Sequence, residues 1–413
     1  MKAVCLFSKL FYVSLLCIIC SFSTQAQESD NRRLNVYGFS EILLLNRFGE
    51  APNKDGAEIF KSTFGEDAEE ELEDGSKLFI RNLNLLFASE LSEKLKFQGE
   101  LSFEREGDEF QIDLERVYLD YRISEKFGLQ AGVFLNPFGY LTQNPRNIGY
   151  LNNSLRIRNM INEEFGYAAF RILGLQLYGT FAFGEGASGF KYQLAAGRMR
   201  SQFATQDEIG IAEIGANNET DIGYTFNLEF FFNTEKSEMN FGIGGFANPK
   251  IRSLYFDSLG VVFTEDNAEE MELRELTIAP YIRLDFNKWQ FLTELHWTQM
   301  TDLLGNTESS TYSYLAVSAE VLFKTKLAGR PFYPYLRYDV DNVPDVPGGG
   351  PFYSVKELGE GEFVRGISPN RAEAMVGFAW DIFPFNRFKM EYSRILDGIE
   401  PQNAINISSS FSF

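Results

Sequence analysis

Cysteine is almost missing from this 413-residue chain, and Cys5, Cys17 and Cys20 all fall within its first 26 residues. The rest of the chain has no thiol to pair, so its stability must come from architecture rather than covalent staples. After the start there is also no apolar run of the roughly 18–20 residues that a membrane-spanning helix needs. Helical membrane spans are therefore excluded. Basic residues are scarce, 38 Lys and Arg against 58 Asp and Glu, for a formal net charge of −20. Nucleic-acid binding, which needs clustered cations to neutralise phosphates, is disfavoured. Aromatic residues, by contrast, are plentiful, with 41 Phe and 19 Tyr at a mean hydropathy of only −0.20. A transmembrane β-barrel has that combination, because only alternate residues face lipid and aromatic girdles mark both interfaces.

The first 26 residues read as a cleaved secretory signal peptide. Lys2 and Lys9 flank an apolar stretch over 10–22, and Ser23-Thr24-Gln25-Ala26 supplies a small-residue cleavage site. Leu16 and Ile19 are poor residues for a lipidation site at Cys17 or Cys20. The mature chain, 27–413, is then expected to be one outer-membrane barrel of a double-membraned bacterium.

Period-two alternation is clearest at the C-terminus. There Ile405, Ile407, Ser409, Phe411 and Phe413 oppose Asn406, Ser408, Ser410 and Ser412. A single half-buried strand could look the same, but the pattern repeats. Leu95, Phe97 and Leu101 oppose Lys96, Gln98, Glu100 and Glu104. Leu276, Ile278, Ile282 and Leu284 oppose Glu275, Thr277, Tyr281, Arg283 and Asp285. Phe291, Leu295 and Trp297 oppose Gln290, Glu294 and His296; Phe388, Met390 and Tyr392 oppose Arg387, Lys389 and Glu391. One apolar face and one charged face, many times over, suit lipid outside and water inside.

Short turns, such as 92–94, 124–126, 285–288 and 383–386, alternate with long polar links at 49–76, 136–171, 200–221, 248–272 and 341–370. The alternation predicts an all-β, antiparallel transmembrane barrel of about 16 strands, from 34–45 to 403–413, with short periplasmic turns and long outer loops. An even number puts both termini on the periplasmic side and leaves 164–170 in a loop. A phase slip at Glu115-Arg116 suggests a β-bulge.

Sixteen strands enclose a lumen rather than a packed core, and inward charges of both signs call for water there. Lys96, Glu100, Glu104, Arg283, Glu294, Arg387, Lys389 and Glu391 are the expected pore-lining residues. The loop 136–171 is the candidate constriction. It carries Arg146, Arg156, Arg158 and Arg171 against Glu163 and Glu164, and folded inward it would favour anions; at the outer rim its arginines would pair with lipid phosphates. The acidic run 66–74 lacks the ligand spacing and turn glycine of a calcium loop. It reads as a solvated loop that divalent ions can bridge to lipopolysaccharide. His296 has no serine partner at a suggestive spacing, so a lumen histidine is expected rather than catalysis. Gly242, Gly244 and Gly245 suit close backbone approach or a bend. Phe411 and Phe413 at the chain end suit recognition by barrel assembly machinery. No metal, cofactor or enzymatic activity is expected. The leading reading is a passive channel for ions or small hydrophilic solutes; the alternative is a barrel whose acidic outer loops bind a surface partner or divalent ions.

Residues 114–141 (LERVYLDYRISEKFGLQAGVFLNPFGYL) resemble the phosphate-selective porin O and P family. The likeness lies in a strand ending in a "dayld"-type pattern, then Gly132, Phe134, Pro137, Phe138 and Gly139, which lead into that family's constriction loop. Residues 171–179 and 192–197 resemble its following strands, although Leu173 stands where the family has Asp. The resemblance implies a 16-stranded channel, trimeric, with arginines drawing anions inward.

Overall fold

The computed structural model describes residues 34–50, 75–106, 109–143, 171–184, 187–199, 222–255, 262–264, 269–303, 311–342, 355–359, 362–365, 371–397 and 402–413. The leader 1–26, the acidic run 66–74 and the segment 164–170 lie outside the described residues.

Sixteen antiparallel strands form one sheet. The first half holds β1 (Leu34–Phe48), β2 (Gly75–Glu90), β3 (Leu95–Glu106), β4 (Glu109–Ser124), β5 (Phe127–Leu135), β6 (Arg171–Phe183), β7 (Ser188–Met199) and β8 (Gly223–Asn233). The second half holds β9 (Ser237–Tyr255), β10 (Glu269–Phe286), β11 (Trp289–Asp302), β12 (Thr311–Phe323, resumed at Thr325–Leu327), β13 (Arg330–Asn342), β14 (Arg371–Phe383), β15 (Asn386–Asp397) and β16 (Asn403–Ser412). Each pairs with its chain neighbours, and β1 pairs with β16 from Phe39↔Ser412 to Phe48↔Asn403. Two further hydrogen bonds finish the seam: Gly38 N donates to the Phe413 carbonyl at 2.8 Å, and Phe413 N to the Gly38 carbonyl at 2.9 Å. Closure leaves no strand edge, as a sheet in hydrocarbon requires.

Alternation sets the two faces. Leu173, Leu175 and Leu177 of β6 point outward and are exposed, while Ile172 and Gln176 at alternate positions are buried inside. The same holds in β14, where Val376 is exposed and Glu373, Met375 and Ala379 are buried. Aromatic rings gather on the outer face near the short-turn end of β6 to β9: Phe181 stacks on Phe190 at 4.9 Å, and Phe190 meets Phe230 at 6.1 Å. The hairpin between β12 and β13, closed by Leu327↔Arg330, turns on Ala328 and Gly329, both with positive φ (51° and 78°), as a two-residue turn of this kind demands.

The slip at Glu115-Arg116 is a bulge. Glu100 pairs with Arg116 and Leu101 with Leu114, so Glu115 is the extra residue. A second bulge, which periodicity did not reveal, makes Arg81 the extra residue of β2: Glu41 pairs with Asn82 and Ile42 with Ile80. A bulge sets two successive side chains on one face. In both strands the result is an arginine beside a carboxylate on the inner wall, Arg81–Glu41 at 3.3 Å and Arg116–Glu100 at 2.7 Å.

Two long links differ from expectation. β9 and β10 continue in register to Tyr255 and Glu269, into the region 248–272 expected to be loop. In addition, Val262–Thr264, Val355–Gly359 and Glu362–Arg365 form a separate three-stranded sheet that joins two long links. These segments are too short and irregular to carry a readable alternation, and pairing between distant links leaves no local signal.

A charge on the lipid face should cost far more than a change on the inner face. Leu175→Arg is expected to destabilise the folded barrel by about 2–4 kcal/mol, whereas Gln176→Ala, one position along, loses only a hydrogen bond worth about 0.5–1.5 kcal/mol. Urea titration of folding into lipid vesicles measures both, and equal costs would contradict the assignment of faces.

Candidate functional site: the inner wall and the segment that crosses it

After β5 the chain does not continue along the barrel wall. Residues 136–143 cross the interior and pack against strands far from β5. Phe138 is fully buried in a cluster with Phe134, Ile172, Ala195, Met199, Phe246 and Ala279. Its ring meets Phe246 at 4.8 Å and the His296 ring at 5.2 Å. Leu141 packs on Leu292 and Ala316 of β11 and β12. The short 3-10 turn Leu141–Gln143 ends the described part of this crossing.

Glu294 of β11 anchors the turn. One carboxylate oxygen accepts the Tyr140 and Leu141 backbone N–H groups at 2.8 and 2.9 Å; the other lies 2.6 Å from His296 Nε2. All of these groups are inside, and Glu294 is 1% exposed, so each hydrogen bond replaces one that water would otherwise make. Thr142 Oγ1 donates to the Phe138 carbonyl and closes the turn from within.

Two glycines are dictated by this crossing. Gly139 has φ +69°, and a Cβ there would lie 2.2 Å from Glu294 Oε1. A Cβ on Gly244 would lie 2.3 Å from Gly139 N, so β9 presents bare backbone where the segment passes over it.

Around the segment the wall carries paired charges. On β15, β16, β1 and β2, Glu41 is held by Lys389 at 2.9 Å, Arg81, Ser408 and Ser410. Tyr335 donates to Glu391 at 2.6 Å, and Arg387 bridges Asp381 at 2.6 Å while lying over the Tyr333 ring. Asn84 donates to Glu100 and Ser102. On the other side, Lys191 and Tyr281 hold Glu229, Asn248 donates to Glu275 at 2.8 Å, and Arg337 meets Asp339 at 3.2 Å. Arg283 and Lys324 both meet Asp285, and Arg283 also sits over the Tyr140 ring at 5.6 Å.

The expected site residues fall as follows. Glu100, Arg283, Glu294, Arg387, Lys389 and Glu391 share the inward face. Lys96 lies on the same phase but at the short-turn rim, exposed and paired with Glu90 at 2.6 Å. The side chain of Glu104 lies outside the described residues, as do Arg146, Arg156 and Arg158. Arg171, the first residue of β6, is buried against Glu115 (3.7 Å) and the Leu114 carbonyl. His296 packs beneath the crossing segment. Glu41, Arg81, Arg116, Glu229, Asp339 and Asp341 are inner-wall charges that the sequence reading did not select. Strand phase points to most of them, and the slip at Glu115-Arg116 to Arg116, but the bulge in β2 hides Arg81.

No family model matches the chain. A stretch of 69 residues is 38% identical to an uncharacterized protein of Aquifex aeolicus (strain VF5), and it spans 16% of this chain and 16% of that protein. Solved structures match the whole barrel at low identity. The outer membrane channel DcaP of Acinetobacter baumannii is 12% identical with a TM-score of 0.53, covering 94% of this chain and 99% of its own. An anion-selective porin from Comamonas acidovorans is 12% identical with a TM-score of 0.51, covering 93% and 100%. A loop-deleted OmpT, an outer membrane protein of Vibrio cholerae, is 9% identical with a TM-score of 0.53, covering 93% and 100%. At such identities the shared property is the fold, and this chain has the barrel of outer-membrane porins.

Removing the anchor should loosen the segment. Phe138→Ala is expected to cost about 3–5 kcal/mol of barrel stability. Glu294→Ala should cost about 1–3 kcal/mol for each stranded N–H. Limited proteolysis of the folded protein should then cut within 136–171 faster in both variants, and unchanged cleavage would show that the crossing is held by other contacts.

Proposed function

We propose that this protein is a passive channel of the outer membrane for ions and small hydrophilic solutes. The observation that carries this reading is residues 136–143, drawn across the interior of a closed 16-stranded barrel and fixed to the far wall by Glu294. Sixteen strands enclose more space than inward side chains fill, and a segment folded into that space narrows it and sets what passes. The polar, mutually paired inner wall supports an aqueous path, because such groups belong beside water rather than lipid.

In this reading residues 1–26 direct export and are removed, both termini face the periplasm, and 136–171 is the constriction loop. Phe411 and Phe413 are then placed for the assembly machinery at the rim that carries the short turns. A homotrimer and contacts between the acidic outer loops and lipopolysaccharide complete the picture. Arginines 146, 156 and 158 are the argument for anion passage.

Purified protein in a planar lipid bilayer should produce discrete conductance steps. A correctly folded preparation, heat-modifiable on gels, that stays silent would overturn the channel reading.

A further inference from the structure

The acidic excess of this chain, a formal net charge of −20, is not spread evenly. At the short-turn end, the turns 92–94, 124–126 and 234–236 each set a glutamate before a lysine: Glu93-Lys94, Glu125-Lys126 and Glu235-Lys236. Two neighbouring hairpins break that balance. The β10–β11 turn is Asn287-Lys288, and the β12–β13 hairpin carries Lys324, Lys326 and Arg330, with no acidic residue in 286–293 or 321–338. Backbone pairing holds the two hairpins together, since Phe323 is the partner of Trp289 and Lys324 N donates to the Lys288 carbonyl at 2.6 Å. Asp285, just before the first turn, is already held by Arg283 and Lys324. Lys288, Lys326 and Arg330 are exposed, and among the described residues none of them forms an ion pair.

An apolar surface adjoins these cations. Trp289 lies against Phe323 at 4.7 Å and Phe291 at 6.4 Å, and Phe286 and Leu327 beside it are exposed. Arg330 shares the outward phase of Leu336, and Lys326 adds charge near the hairpin tip from the opposite phase. Aromatic rings settle at headgroup depth in a bilayer, and long basic side chains beyond them reach the phosphates.

We propose that this corner of the rim binds an anionic glycerophospholipid. Its acyl chains lie along Trp289, Phe323 and Leu327, and its headgroup phosphate meets Lys288, Lys326 and Arg330. A zwitterionic phospholipid brings its own cation and gains little here, whereas an anionic one brings the charge that the patch lacks. The inference needs the barrel and its lipid face but no conduction. It takes phospholipid over lipopolysaccharide from the orientation proposed above, with the short turns at the periplasmic leaflet.

Trp289 is a reporter at the site. With Trp297→Phe and Trp380→Phe it is the sole tryptophan left of three, and lipid brominated on its acyl chains quenches it on contact. The protein is folded into phosphatidylcholine vesicles holding the same small fraction of brominated phosphatidylglycerol or brominated phosphatidylcholine. Phosphatidylglycerol should be favoured at Trp289 by about fivefold, the factor one cation near an anionic membrane surface supplies. The preference should fall toward one as salt rises and the Debye length shrinks from about 30 Å to 3 Å. Lys288→Gln with Lys326→Gln and Arg330→Gln should abolish it, and Lys288→Gln alone should lower it if the triple variant does not fold. A protein keeping only Trp297, further along β11 and roughly 20 Å up the barrel axis, should show none. Equal quenching of Trp289 by both lipids overturns the site. A preference that the substitutions leave intact, or that Trp297 shows equally, overturns its assignment to these hairpins. Relief of quenching by lipopolysaccharide but not by unlabelled phosphatidylglycerol overturns the choice of phospholipid and the orientation behind it, and leaves the channel reading standing.

Discussion

The lipid interior offers no partner for a peptide N–H or carbonyl, and every other feature of this molecule follows from meeting that condition. A sheet meets it only by closing. Here closure falls on the chain's two ends, where Gly38 and Phe413 exchange hydrogen bonds beyond the last paired residues of β1 and β16. Gly38 admits the ring, since a Cβ there would lie 2.1 Å from an atom of the Phe413 side chain. Once the cylinder is closed, the inside–outside phase of each strand is fixed, and polar residues at alternate positions face a common interior.

That interior is organised by departures from regularity. The bulges at Arg81 and Glu115 bring arginines onto the inner wall next to carboxylates, so that charges which would be costly alone neutralise each other. The crossing segment depends on a similar local match. Gly139 and Gly244 remove the side chains that would hold the segment off the wall, Phe138 fills a pocket of inner-face residues from β5 to β10, and Glu294 satisfies the turn's N–H groups. Rigid placement of a loop inside a barrel needs all three, because a polar backbone taken out of water must find acceptors and an apolar anchor must find a pocket.

The wall charges also separate fold from selectivity. The resemblance of 114–141 to a phosphate-selective family and the barrel shared with an anion-selective porin at 12% identity concern architecture. The sign of the potential inside is set by which residues the register brings into line, and these can differ completely between barrels of the same shape.

Much was legible in the sequence alone. Alternation gave the strand number, the faces of β10, β11, β14, β15 and β16, and the bulge at Glu115, because a half-lipid, half-water surface imposes period two on side chains wherever the chain is paired. Strand ends were less legible: β9 and β10 extend past the expected boundary because pairing with each other stabilises polar residues that read as loop. The small sheet joining two long links and the bulge at Arg81 were hidden because both depend on pairing between distant segments. The sequence determined that this chain forms a closed membrane barrel with a polar interior, since period and composition are local properties. Only the tertiary structure decided that Phe138 meets Phe246 and that Glu294 holds residues 140 and 141, since cross-strand register joins residues far apart along the chain.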